Sequence, residues 1–134
     1  MILGFVIASF IFPQNIFPTG GENIRKVFAN IKSGIENNEI AEFSGYFDFR
    51  IYINLTNGTT GYYSSNQVYY ILEEYFRNHQ PVNLDYSRIE EASESPYAAG
   101  SLIYLYNGEK KTAKVFISLK LDGGNCKIVQ ITID

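Results

Sequence analysis

The chain has no tryptophan, one cysteine and one histidine, and these shortages remove whole classes of chemistry. Cys126 cannot close an internal disulfide, and it stands far from the start of the chain, where a lipid-modified cysteine would have to follow a leader. Its expected role is a buried thiol on a strand. His79 has no Cys or His nearby to share a metal, so no metal site is expected. Lying between a helix and Pro81, it is predicted to face the negative end of that helix's dipole. Strong charge is missing too. A net charge of -3 is small and of the wrong sign for nucleic acid, and Lys110, Lys111, Lys114, Lys120 and Lys127 read as solubilising residues on exposed sheet. Neither Gly20-Gly21 nor Gly123-Gly124 lies between a strand and a following helix, which excludes a phosphate loop. No serine has a histidine at a recognisable nucleophile spacing. No cofactor is expected.

What is present is a composition for one folded domain. Of 134 residues, 46% are hydrophobic and 19% charged, and an aromatic share of 16% made only of Tyr and Phe suits strands. Met1 to Phe12 is an apolar run, no charge precedes Glu22, and Thr19 and Gly21 stand where a signal peptidase wants small residues. Residues 1–21 are therefore expected to be a signal peptide and 22–134 the domain, exported to the periplasm or beyond, with no stable membrane span in the mature protein. The positive charge that usually opens a leader is missing, and the rival reading is an apolar strand or anchor helix.

Ile24, Val27, Phe28, Ile31 and Ile35 fall at helical spacing and predict a helix over about 22–36. A short helix with Ile40 and Phe43 follows, ended by Ser44-Gly45, where the glycine is expected to take positive φ. Phe49 to Leu55 alternates as a strand, and Asn57-Gly58 turns it into a short partner, Thr59 to Tyr63. Ser64 and Gln67 have capping-box spacing before a helix whose stripe is Val68, Ile71, Leu72, Tyr75 and Phe76. Beyond Pro81 come a strand over 82–92 and three more from Tyr97 onward, joined at Asn107-Gly108 and Gly123-Gly124. Val115, Ile117, Leu119 and Leu121 should face the core. A two-residue turn at Gly123-Gly124 puts Gln130 on the Ile117 face, and a slip of one residue puts Val129, Ile131 and Ile133 there instead.

This order, with Ala29-Asn30-Ile31-Lys32-Ser33-Gly34, Tyr46-Phe47-Asp48, Gly61-Tyr62-Tyr63-Ser64 and Tyr75-Phe76, resembles a family of small exported bacterial proteins known only as a domain of unknown function. The resemblance runs from about Glu22 to the end. It implies the α+β cone typified by nuclear transport factor 2, ketosteroid isomerase and scytalone dehydratase, with three helices packed on a curved antiparallel sheet around a pocket. It implies no activity. Expected pocket-lining residues are Tyr46, Asp48, Tyr104 and Gln130. The leading expectation is a non-enzymatic domain that binds a small apolar ligand or a protein partner through the pocket or the sheet face. A homodimer through the face carrying Phe116 and the Ile131 neighbourhood is the expected assembly. Two rivals stand beside it: a pocket enzyme using Asp48 and tyrosines as acid and base, and a structural homodimer with a filled pocket.

Overall fold

The computed structural model describes residues 20–134, with side chains from Ile24 onward. The leader expected over residues 1–21 lies, but for its last two residues, outside them. Among the described residues no helix is long and apolar enough to cross a membrane. The elements are α1 (Gly20–Glu36), α2 (Ala41–Ser44), β1 (Phe47–Leu55), β2 (Thr60–Ser64), α3 (Ser65–Asn78), β3 (Gln80–Glu90), β4 (Tyr97–Tyr106), β5 (Glu109–Asp122) and β6 (Asn125–Ile133).

Helix α1 buries Ile24, Val27, Phe28, Ile31 and Ile35, the stripe its periodicity predicts. It ends at Asn38, which takes the left-handed conformation with φ 55, while Asn37 N–H still reaches the Ser33 carbonyl at 3.0 Å. Gly34 is the point of closest approach between α1 and α2, because a Cβ there would lie 2.5 Å from Phe43 Cδ1 and 2.8 Å from the Glu39 carbonyl oxygen. Gly45 corrects an expectation. It closes α2 with φ -65, ordinary right-handed backbone, so the turn into β1 makes no use of a glycine's freedom. Helix α3 carries the predicted capping box: Ser64 Oγ accepts from Gln67 N–H, and the Gln67 side chain accepts from Ser64 N–H.

One six-stranded sheet runs in the order β2-β1-β6-β5-β4-β3. All neighbours are antiparallel except β1 and β6, which run parallel, so the sheet is mixed where the sequence suggested purely antiparallel pairing. The helices cover one face. Ile51, Ile53, Leu55, Leu84, Leu102, Val115, Ile117, Leu119, Ile128, Ile131 and Ile133 are buried there against α1, α2 and α3.

The ambiguity at β6 resolves through a bulge. The two-residue turn pairs Asp122 with Asn125 and Leu119 with Ile128, then the register shifts so that Ser118 faces Gln130 and Ile117 faces Ile131. Val129 is the extra residue. Cys126 and Ile128 before it and Ile131 and Ile133 after it all reach the core face, and Gln130 turns to the open one. Ile131 is therefore core, leaving Phe116 as the apolar residue of that expected pair on the open face. Leu121 departs from its alternation as well: at the hairpin end of β5 it is 42% exposed.

Candidate functional site

Each predicted pocket residue lands in a different setting. Tyr46, half-buried between α2 and β1, borders a cleft of about 300 Å³, and its hydroxyl accepts from Asn30 Nδ2 at 3.1 Å. Asp48 receives Lys120 Nζ at 3.2 Å, and among the described residues no tyrosine hydrogen-bonds to it. Tyr104 is buried on the helix-covered face. Gln130 lies on the open face, where its Nε2 donates to Thr132 Oγ1 at 3.2 Å. The structure does not bring the four together.

The space between helices and sheet is packed with side chains among the described residues. Phe28, Phe43, Phe76 and Tyr75 are fully buried in it. Tyr75 is tied to Thr56 Oγ1 at 2.6 Å, and burial pushes its hydroxyl up to about 12 despite that bond. His79 caps α3: its N–H donates to the Tyr75 carbonyl at 2.9 Å, and its Nδ1 lies 2.9 Å from the same oxygen. Its ring stacks on Tyr75 at 4.1 Å and lies near Tyr104 and Tyr106. The expected partner, the carboxyl end of the helix, is the one found.

A polar seam joins α1 to β3. Glu36 accepts from Lys32 Nζ and from Leu84 N–H, each at 2.8 Å, and Lys32 also donates to the Leu84 carbonyl. Burial alone would raise the Glu36 carboxyl. The Lys32 and Leu84 bonds outweigh it and hold the group below its ordinary value. Tyr86 donates to the Phe28 carbonyl at 2.8 Å, and burial, helped by Glu36, drives its hydroxyl upward. These groups hold α1 to the sheet.

The open face is different in kind. One cross-strand row reads Tyr62, Tyr52, Gln130, Ser118, Tyr97, and the next reads Thr60, Asn54, Thr132, Phe116, Ala99. Tyr52 and Tyr62 meet edge to face at 5.2 Å, Arg50 lies over the Tyr62 ring at 4.9 Å, and Tyr97 stacks on Phe116 at 5.2 Å. Beside Phe116 the small residues Ala99 and Ser101 leave a groove of about 510 Å³, bordered by Lys114, Thr132 and Asp134. Sequence reasoning found Phe116 and missed Tyr97. Counting outward from the Asn107-Gly108 turn pairs Tyr97 with Ser118 and would have placed it two residues from Phe116 on the same face.

Among the described residues no group of His, Cys, Asp and Glu could hold a metal. A family model described as a domain of unknown function, DUF4783, matches residues 28–134. The chain belongs to the DUF4783 family. Tyr46-Phe47-Asp48 and Gly61-Tyr62-Tyr63-Ser64, which carried the resemblance, lie inside the matched residues. A DUF4783 protein from Bacteroides uniformis is 15% identical, with a TM-score of 0.70 over 79% of this chain and 94% of that one. A second, from Bacteroides ovatus, is 20% identical, with a TM-score of 0.69 over 79% of this chain and 92% of that one. A nuclear transport factor 2-like protein of unknown function from Shewanella oneidensis, 7% identical, aligns with a TM-score of 0.63 over 84% and 96% of the two chains. No curated protein matches. The fold of this DUF4783 chain is thus nuclear transport factor 2-like, with helices first and a curved open six-stranded sheet.

Proposed function

We propose that this DUF4783 chain is an exported, non-catalytic binding domain that works through the open face of its sheet, and that the occupant of that face is a second copy of the chain. One observation carries the reading: the helix-covered face is occupied by the buried side chains of the core, while the opposite face presents Tyr52, Tyr62, Tyr97 and Phe116 in two adjoining rows. Tyr, Phe and Arg are enriched at protein interfaces, and here Gln130, Ser118 and Thr132 stand between two aromatic pairs. Both signs of charge stand at the margins, with Lys120 and Asp48 at one end and Lys114, Asp85 and Asp134 at the other. A patch carrying both signs can meet its own copy about a two-fold axis without like charges facing each other.

Hydroxyl-radical footprinting across a concentration series tests this residue by residue. Oxidation of Tyr52, Tyr62, Tyr97 and Phe116 should fall as the chain is raised from below to well above micromolar, with Tyr70 on α3 unchanged. Equal oxidation of all five at every concentration would overturn it.

A further inference from the structure

Gly45 is a glycine that neither the backbone nor the packing requires: its φ of -65 suits any residue, and a Cβ built there meets nothing within 4 Å. What it borders is the cleft of about 300 Å³ between α1, the α2–β1 junction and the β5–β6 hairpin, shared with Lys26, Tyr46, Gly124, Asn125 and Lys127. Gly124, at φ 91, is held to glycine by its turn, whereas at Gly45 a Cβ would stand in open space.

Among the described residues, the charged groups that line the cleft are Lys26 and Lys127, and neither is in an ion pair, whereas Lys32, Lys111 and Lys120 each are; the nearest carboxylate along β5, Asp122, is paired with Asn125 but is not part of the lining. Cys126 closes the inner wall as a buried thiol, its acidity weakened by that burial, so it offsets neither lysine. The Tyr46 wall is tied in place. Tyr46 is held three ways: its hydroxyl by Asn30 Nδ2 at 3.1 Å, its carbonyl by Ile128 N–H at 2.7 Å, and its N–H by the Phe43 carbonyl at 3.0 Å. Two ammonium groups, a phenol and a side-chain amide around one partly enclosed cleft form a donor set for an oxyanion.

We propose that this cleft binds a small oxyanion, with Lys26 and Lys127 supplying the charge, Asn125 and Tyr46 the neutral hydrogen bonds, and Gly45 the clearance. The site lies apart from the Phe116 groove, sharing none of its lining residues, so its failure leaves the open-face reading untouched.

Amide chemical shifts followed while the chain is titrated with inorganic phosphate, and separately with acetate, test it, with sodium chloride holding ionic strength constant. Saturable shifts centred on Gly45, Tyr46, Gly124, Asn125 and Lys127 are expected. Preference for phosphate would assign a phosphate-type ligand, and preference for acetate a carboxylate. Replacing Lys26 and Lys127 together by Ala should weaken binding by about tenfold or more. Gly45→Leu should abolish it while leaving the thermal midpoint unchanged, which separates filling the cleft from unfolding the chain. Shifts that never saturate, or saturating shifts indifferent to both variants, would overturn the proposal.

Discussion

Leu72 is 1% exposed on α3, between Val68 and Phe76, both fully buried. Truncating it leaves a hole that a close-packed interior cannot fill, so Leu72→Ala should lose about 2–5 kcal/mol, read as a lower denaturant midpoint at unchanged slope. An unchanged midpoint would mean that this side chain is not core. Glu36 sets a pH dependence. Its carboxyl is held below its ordinary value, so the stability it contributes is fully present above the ordinary carboxylate range and is lost as pH falls through the lower folded value. The difference in thermal midpoint between wild type and Glu36→Gln should therefore be largest near neutrality and close as pH falls through the lowered folded value. A difference that stays constant into acid would show that the hydrogen bonds, not the charge, matter. Tyr75 acts at the other extreme: its hydroxyl is raised to about 12, so its share is intact below pH 10 and fades as pH climbs toward the folded value.

At the scale of elements, what was legible followed from local chemistry. The Ser64–Gln67 box, the Asn57-Gly58 and Asn107-Gly108 turns and the stripes of α1 and α3 each depend on residues a few positions apart, and each formed as read. Two faces were not legible. Gln130 reaches the open side only through the bulge at Val129, because β6 must match the antiparallel register of β5 and the parallel register of β1 at once. A second register shift, between Phe47 and Tyr52, likewise hid how Asp48 and Tyr52 relate along β1. The candidate site was harder still. Tyr46, Asp48, Tyr104 and Gln130 come from separate segments, and where they stand depends on those shifts and on which face the helices cover. Gly45 misled for a related reason: glycine after a helix usually signals positive φ, whereas Asn38, not Gly45, takes that conformation. The leader yields a prediction at this scale. If it is cleaved as its uncharged apolar run and small residues predict, mass spectrometry of chain recovered outside the cytoplasm should find Glu22 at the N-terminus. Chain recovered there with residues 1–21 attached would contradict export by cleavage.

For the whole molecule, the cone divides labour between its two faces. One side of the sheet is spent on the helices and holds the fold, while the other keeps aromatic and hydrogen-bonding groups in contact with solvent. The competing account is that Lys114, Lys120 and their neighbours keep that face wet and the molecule single, as charges on exposed sheets often do. Sedimentation equilibrium of the chain from Glu22 onward, beside its Phe116→Lys variant, separates the two. The open-face account predicts a dimer at tens of micromolar for the first and, for the second, a monomer that still unfolds in one cooperative transition. A monomer for both, at the same concentration, would contradict it.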